Sequence, residues 1–326
     1  MRSFTPQDDS FHFAEMGDRW WMTETSWFSF CHPARKLGGW LYTMVRPNIG
    51  TVAGGAWIWD DTAHLPWDVL YSTNYTSLQL PVDQDLKSIV LSTGVSIRMR
   101  EPCMSYDLGF EDGKRCKMSL RFDGLMQPRP LHRAGSPFGA SNHFDQFGRV
   151  SGQISVNGED FEVDCLAMRD RTWGPRPEHR PKKSAYVTGI ASPTDAFLAV
   201  TRWVGDSEEI AYGFMIRDGE IAELISGRRT VERDTHEGWV TKITIEAEDE
   251  RGRKLHAVGS RLSGIIINRH SFIDSNGLIA WDINGKSGHG EDQDMWPVHD
   301  WADYRRHCAK RGHAAPTAER TSPRSA

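Results

Sequence analysis

The sequence of 326 residues predicts an antiparallel all-β protein. Short runs with an apolar residue at every second position recur along the chain, and clusters of Gly, Pro, Asn and Asp separate them. This pattern is typical of strands joined by tight turns. Helix-like periodicity is sparse, which argues against a parallel sheet with crossover helices. The length suits two domains or one large β domain.

The segments with the strand pattern divide into two groups, before and after residue 168. We predict strands over 39–45, 51–59, 86–91, 94–99, 117–122, 149–156, 160–166, 185–190, 197–203, 211–216, 239–246, 255–262 and 278–283. An Asp-Arg-x-Trp element occurs at 18–21 and again at 170–173, which is weak support for two similar β domains. The predicted domains are therefore 1–168 and 169–311.

Three dipeptides predict tight hairpins between these strands. Asn157-Gly158 and Asp218-Gly219 each separate two alternating runs, and Asp112-Gly113 is a third candidate. A two-residue type I′ turn needs positive φ at both central positions, which Asn-Gly and Asp-Gly accept most readily.

A short helix is predicted at 301–311, with Asp300 as its N-cap. Residues 312–326 lack apolar periodicity and are expected to form a disordered tail. At the other end, the polar start of the chain, including His12, is expected at the surface.

The charge and the apolar content of the chain indicate which kinds of molecule or membrane it could contact. The chain has 39 Lys+Arg against 44 Asp+Glu and a net charge of −5, without a basic face, which argues against nucleic acid. No apolar stretch approaches the ~18 residues of a membrane span, and no signal peptide is recognisable, so we expect a cytoplasmic protein.

Motifs for phosphate loops, dinucleotide binding and serine hydrolases are missing from the sequence. An odd number of cysteines without CxxC spacing predicts buried thiols rather than disulfides. Thirteen Trp and fourteen Phe suit either a thick β core or an aromatic-lined cavity.

The first motif with chemical potential extends from His143 to Ile154 and continues at Arg169–Arg176. In a strand, Arg169 and Arg171 point to one face while Asp170 and Thr172 point to the other. A carboxyl group in an apolar pocket has a raised pKa and can donate a proton near neutral pH, which is one interpretation of Asp170. The alternative is an Asp–Arg lock between domains.

The second motif is Gly288–Pro297, in which His289 and Glu291 flank Gly290. In an extended strand the two side chains share a face and could form an acid/base pair. The alternative is a solvated loop with exposed acidic residues. Metal binding by His289, Glu291 and His143 is a weak option, because no companion ligand motif accompanies them.

Both motifs resemble those of a bacterial family of two-domain lipocalin-like proteins. This family is distantly similar to carotenoid 1,2-hydratases (hydroxyneurosporene synthases) and to AttH-like proteins. The first motif matches the family's His-x-x-Gln-x-Gly-x-x-x-Gly-x-Ile element and most of Arg-Asp-His-Ser-Trp-Gly-x-Arg, and the second matches its Gly-x-Gly-Glu element. The opening Glu24-Thr-Ser-Trp suits its first strand.

The resemblance implies two lipocalin-like β-barrel or sandwich domains, related by a pseudo-two-fold axis, with an apolar cavity. It also implies hydration, dehydration or cyclisation of isoprenoids or polyketides without a redox cofactor. Asp170, Trp173 and Gly174 match the family motif, but Arg171 replaces its His. An arginine stays protonated and is a poor general base. If the histidine transfers protons in the related proteins, this chain either lacks that function or uses another residue for it.

Two functions from different classes follow. The first is a hydro-lyase or isomerase/cyclase, without cofactor or metal, that acts on a hydrophobic small molecule such as a terpenoid, steroid or aromatic catabolite. The second is a non-catalytic carrier of such a ligand. A homodimer is compatible with either. The candidate acid–base residues are Asp170, Glu291 and His289. The candidate substrate-binding residues are Arg171, Trp173, Arg176, His143 and Trp59, of which His143 and Trp59 also suit simple core packing.

Overall fold

The computed structural model describes residues 5–13, 17–81, 85–131, 141–176, 182–269 and 272–313. It confirms an antiparallel all-β fold with one C-terminal helix. The strands are β1 (Met22–His32), β2 (Leu37–Arg46), β3 (Thr51–Trp59), β4 (Tyr71–Ser72), β5 (Tyr75–Gln79), β6 (Ser88–Val90), β7 (Val95–Glu101), β8 (Ser105–Asp112), β9 (Cys116–Gly124), β10 (Arg129–Pro130), β11 (Asn142–Val156), β12 (Glu159–Pro175), β13 (Ser184–Ser192), β14 (Asp195–Val204), β15 (Ser207–Arg217), β16 (Glu220–Arg233), β17 (Val240–Asp249), β18 (Lys254–Arg269), β19 (Phe272–Ile283) and β20 (Lys286–Pro297).

The strands form two antiparallel assemblies. A twelve-stranded sheet has the order β4-β3-β2-β1-β12-β11-β9-β8-β7-β6, with β5 on β3 and β10 on β11. Strands β13 to β20 close into an eight-stranded barrel. The chain passes from the sheet to the barrel between Pro175 and Ser184, and the predicted domain limits stay a prediction. The two Asp-Arg-x-Trp elements lie in different settings, since the first precedes β1 and the second lies inside β12.

Turn chemistry follows the sequence closely. Both residues of Asn157-Gly158 and of Asp218-Gly219 have positive φ, as a type I′ turn requires. The Asp112-Gly113 hairpin forms with a longer loop, because β9 begins only at Cys116. A further Asn-Gly turn at 284–285, with φ of 51° and 83°, joins β19 to β20 and was missed by the sequence analysis.

Helix α1 (Val298–His313) confirms the predicted C-terminal helix and begins three residues earlier. Its Trp301 packs against Trp296 of β20, with ring centroids 5.6 Å apart. The predicted tail lies outside the described residues beyond residue 313. Within the described chain, no helix is both long and apolar enough to cross a membrane.

The three largest apolar clusters of the described residues result from the side-chain alternation. One lies on the inner face of the large sheet, around Phe28 and Phe122, and another fills the barrel, around Phe197 and Ile243. The third lies between the outer wall of the barrel and the opposite face of the sheet, around Trp40. Polar and ionisable groups are buried within this third layer, which we call the intersheet layer.

Candidate functional site

A hydrogen-bonded network centred on Asp145 joins the sheet to the barrel. His143 Nε2 lies 2.9 Å from Asp145 Oδ1, and its Nδ1 lies 2.8 Å from Thr172 Oγ1. From the barrel, Tyr186 and Tyr212 donate their hydroxyl groups to Asp145 Oδ1 and Oδ2, at 2.5 and 2.9 Å. His143 and Asp145 reach the intersheet layer together because they are two residues apart on β11. The network therefore fixes β11 to strands β13 and β15 of the barrel.

Asp170 lies beside this network, directly opposite Asp145 in the β11–β12 register. Burial raises its pKa from 3.8 to about 6, with a further upward contribution from Asp145 and a downward one from His143. Although burial disfavours the imidazolium, the charge and hydrogen bond of Asp145 raise the pKa of His143. Within the described chain, no hydrogen bond to the Asp170 side chain is formed. Asp170 is therefore a carboxyl group whose proton is available for exchange with a bound molecule.

His143, Asp145 and Asp170 each offer a ligand atom, and these atoms lie within 4.8 Å of one another. The group is small enough for one metal ion. However, Asp145 already accepts bonds from His143 and both tyrosines, which use three of the about four acceptor positions of a carboxylate. The donor set therefore fits a proton-sharing cluster better than a metal centre.

A second carboxyl group, Glu291 on β20, faces the same layer and is 5% exposed. Trp40 Nε1 and Asn276 Nδ2 both donate to its Oε2, at 2.6 and 3.1 Å. Burial raises the pKa of Glu291 to about 8, against the opposing effect of these donors. Because both donors bind Oε2, the carboxylic proton is expected on Oε1.

Four tryptophans line the sheet side of this layer. The Trp40 ring contacts those of Trp27, Trp57 and Trp59 edge to face, with centroids 5.7 to 6.2 Å apart. The Nε1 atoms of Trp27, Trp57 and Trp59 are buried without a hydrogen-bond partner among the described residues. Buried donors are usually satisfied. These three N–H groups are therefore exceptions, for which the described residues supply no acceptor.

Asp274 adds a third ionisable carboxyl group to the layer. Its side chain is fully buried, and Arg269 Nη1 lies 3.5 Å from its Oδ2. Burial raises the pKa of Asp274 to about 7, partly offset by Arg269. The layer thus carries several protons that can move near neutral pH.

Some of the predicted site residues face the intersheet layer, and others point away from it. Asp170, His143, Trp59 and Glu291 face the intersheet layer, and His289, half-buried two residues before Glu291, shares the Glu291 face of β20. The solvated-loop alternative does not hold, because Glu291, Asp292 and Asp294 are all buried. Arg176 lies partly buried after β12, where its charge acts on Asp170 and His143.

Arg171 and Trp173, which were expected to bind substrate together with Asp170, instead point to the opposite face of β12. Arg171 Nη2 donates to Glu24 Oε2 at 2.5 Å, and its Nη1 donates to the backbone oxygen of Asp8 at 2.7 Å. His12, expected at the surface, is instead buried, and its ring stacks on Trp173 at 4.5 Å. The interpretation of an Asp–Arg lock between domains is therefore wrong for Asp170: the buried lock pairs Arg171 with Glu24 of β1, within the same sheet.

Arg169 completes this lock on the inner face of β12. Its guanidinium forms two bonds to Asp9, at 3.1 and 3.2 Å, and lies over the ring of Tyr106. The 3-10 turn at Pro6–Asp9 supplies Asp9. The N-terminal segment is therefore fixed to the strand that carries Asp170.

Sequence reasoning missed the groups that reach the site from distant strands, namely Tyr186, Tyr212, Trp40, Asp274 and Asn276. Asp145 had a usable signal, since its spacing of two from His143 places both on one face of a strand. Trp40 and Glu291 are 251 residues apart, and no local pattern links them.

Comparisons with known proteins support the predicted resemblance. A family model described as "Domain of unknown function (DUF7064)" matches residues 5–297. No curated protein matches the chain.

Solved structures share the fold at low sequence identity. An AttH-like protein from Nitrosomonas europaea has a TM-score of 0.58 at 15% identity, over 90% of this chain and 97% of that chain. Kievitone hydratase from Nectria haematococca has a TM-score of 0.56 at 12% identity, over 84% and 89%. CghA has a TM-score of 0.57 at 10% identity, over 85% and 88%. The resemblance to AttH-like proteins is thus confirmed at the level of fold.

Proposed function

The chain belongs to the DUF7064 family, and from this premise we propose that it is a lyase or isomerase that transforms a hydrophobic small molecule by acid–base catalysis in the intersheet layer. Hydration, dehydration and cyclisation are the reactions that such a site supports. A terpenoid, a steroid or an aromatic catabolite has the apolar body that four buried tryptophans would accept.

The observation that carries the proposal is the pair of carboxyl groups with separated pKa values. With a pKa of about 6, Asp170 is mostly ionised at neutral pH and can accept a proton. With a pKa of about 8, Glu291 is mostly protonated and can donate one. Pairs of carboxyl groups whose environments separate their pKa values in this way are typical of acid–base sites.

Each direction of a hydro-lyase reaction uses these two groups in complementary roles. In dehydration, Asp170 takes the proton from carbon while Glu291 protonates the departing hydroxyl, which leaves as water. In hydration, the same groups act in reverse. The indole faces of Trp27 and Trp40 would stabilise positive charge that develops on the substrate.

The His143–Asp145–tyrosine network has a positioning role in this proposal. It fixes β11 against the barrel, so that the backbone opposite Asp170 cannot shift without breaking two tyrosine bonds. His289 shares the Glu291 face and remains a candidate for contact with the distal part of a substrate. The name of kievitone hydratase, a structural relative, describes a hydration reaction and is compatible with this proposal.

The alternative from another class is a carrier of an apolar ligand. The three unpartnered tryptophan N–H groups favour binding of a molecule with a polar atom, with or without a reaction. A carrier would return its ligand unchanged.

The experiment is an untargeted mass-spectrometric comparison. A hydrophobic extract of the host is incubated with the wild-type protein, with Asp170→Asn, with Glu291→Gln, and with the exposed control Glu101→Gln. We expect the wild type and Glu101→Gln to convert one compound, with a mass change equal to one water or with no mass change and a new retention time. Both site variants should lose this conversion. Conversion at the wild-type rate by Asp170→Asn and Glu291→Gln would refute the assignment, whereas a retained and unaltered compound would favour the carrier.

A further inference from the structure

A cavity of about 230 Å³ opens where the loop after β3 meets strands β17 and β18 of the barrel. Its walls include His64, Trp239, Arg261 and Ser263. His64 packs edge-on against Trp239 at 4.2 Å, and its backbone oxygen accepts a bond from Ile266 at 2.8 Å. The loop is therefore attached to the barrel at this cavity, which lies outside the set of acid–base groups described above.

Arg261 places a positive charge on the wall of this cavity. Its Nη2 donates to the backbone oxygen of Asn276 at 3.3 Å, and its guanidinium lies 5.3 Å from the ring centroid of Trp239. Among the described residues, none places a carboxylate within ion-pair distance of Arg261. Burial lowers its pKa to about 10, so it remains protonated at neutral pH. A guanidinium presents five N–H donors, and among the described residues Arg261 finds an acceptor only in the backbone oxygen of Asn276.

The carboxylates near Arg261 already have partners. Asp292 and Asp294, inside the barrel, bind Arg229 and Arg233 at 2.7 and 2.6 Å. On the cavity wall, Asp61 pairs with Lys36, and Asp60 accepts a bond from the backbone N–H of Thr62 at 2.9 Å. Their charges favour the cation, but none of them satisfies its donors.

The local backbone is shaped for this guanidinium. Gly264 and Gly277 are paired in the β18–β19 register, and a Cβ on Gly264 would lie 1.9 Å from Arg261 Nη2. A register shift between Arg261 and Ser263 places Arg261 opposite Ile279 of the barrel core, whereas Ser263, opposite Leu278, lies on the other face of β18. Its hydroxyl is buried without a hydrogen-bond partner in the described part of the chain, and the residue is 6% exposed. The paired glycines therefore leave room for the guanidinium of Arg261.

The cavity adjoins the site proposed above through two short connections. Asn276, whose backbone oxygen binds Arg261, donates its side-chain N–H to Glu291 at 3.1 Å. On the other side, Asp60 follows Trp59, whose ring packs on Trp40, the second donor to Glu291. A ligand group in the cavity would therefore lie one residue layer from Glu291.

We propose that this cavity is an anion subsite in which Arg261 binds a carboxylate of the substrate and Trp239 packs on the adjoining apolar part. The inference rests on the proposed function and adds a substrate class to it, namely apolar carboxylic acids. Arginine is suited to this role because its planar fork binds a carboxylate through two parallel bonds. The apolar body of such an acid would extend toward Glu291 and the tryptophans.

Isothermal titration calorimetry with trans-cinnamate and its neutral analogue trans-cinnamamide tests the subsite without any turnover. Since a hydrogen bond to a charged group outweighs a neutral one, we expect the wild type to bind the acid at least ~10-fold more tightly than the amide. Arg261→Gln should remove this preference. Arg202→Gln, an exposed arginine on β14 of the same barrel, should keep it. Arg261→Lys should retain part of it, because charge remains while the fork is lost.

Equal affinity for acid and amide in the wild type would overturn the proposal, as would lack of measurable cinnamate binding at millimolar concentration. A preference that survives in a folded Arg261→Gln protein would also overturn it. If Arg261→Gln does not fold, the wild-type comparison and Arg261→Lys still decide. Asp170→Asn should bind cinnamate normally, so a failure of the subsite is separable from a failure of the acid–base proposal, which is tested by turnover alone.

Discussion

The replacement Glu291→Gln tests the buried state of the central carboxyl group through stability. Trp40 and Asn276 can still donate to the amide oxygen of the variant, so the hydrogen-bond acceptor is retained. The substitution removes only the ability of side chain 291 to ionise. The folded wild type keeps the Glu291 proton up to a pH of about 8, whereas the unfolded chain releases it near its usual pKa of 4.5.

The sign of the effect follows from proton binding. Between these two pKa values the folded state binds more protons than the unfolded state, so the free energy of unfolding of the wild type falls as the pH rises. Each pH unit costs at most about 1.36 kcal/mol. We therefore expect the stability of Glu291→Gln, relative to the wild type, to grow by about 3 kcal/mol between pH 5 and pH 8 and to level off above that.

Urea denaturation at several pH values, followed by tryptophan fluorescence, measures this difference. The exposed carboxyl Glu101 on β7 provides the matched control, and Glu101→Gln should follow the wild type at every pH. A stability difference between Glu291→Gln and the wild type that does not change with pH would refute the reasoning, because it would mean that Glu291 ionises as easily when folded as when unfolded.

Two further substitutions test the ion pair between Arg171 and Glu24 and the hydrogen bond from Trp40 to Glu291. Arg171→Ala removes the guanidinium partner of the buried Glu24 carboxylate, which keeps only its contacts with His12, so urea denaturation should show a loss of about 3–5 kcal/mol in unfolding free energy. Arg149→Ala, in an exposed ion pair, should leave stability almost unchanged, and equal losses would contradict the lock. Trp40→Phe keeps an aromatic ring but removes the N–H donor to Glu291, so the pH-dependent step in stability should move to higher pH, and an unmoved step would mean that this bond does not favour the carboxylate.

Local rules were sufficient for much of the fold. The Asn157-Gly158 and Asp218-Gly219 turns form as predicted, because each sequence accepts positive φ at two successive positions. The same alternation rule separates Asp170 from Arg171 onto opposite faces of β12. Both features depend on residues that are neighbours in the sequence.

The rest of the site depends on which strands meet in space. Tyr186 reaches Asp145 from another sheet, 41 residues away in sequence, and Trp40 reaches Glu291 from 251 residues away. Side-chain periodicity indicates which face of a strand is buried, but it does not indicate what lies across from that face. His12 lies in a polar terminal segment that is nevertheless buried, because Glu24 and Trp173 contact His12 and because Arg169 and Arg171 bind its neighbours.

The pH dependence of kcat/KM on the compound converted from the extract is the sharpest test of acid–base catalysis by Asp170 and Glu291. We expect a bell-shaped profile with limbs near the pKa values of these two groups, about 6 and about 8. Asp170→Glu should move only the acidic limb, and Glu291→Asp only the basic one. A profile that stays flat across both pKa values, or limbs that neither substitution moves, would contradict acid–base catalysis by these two groups.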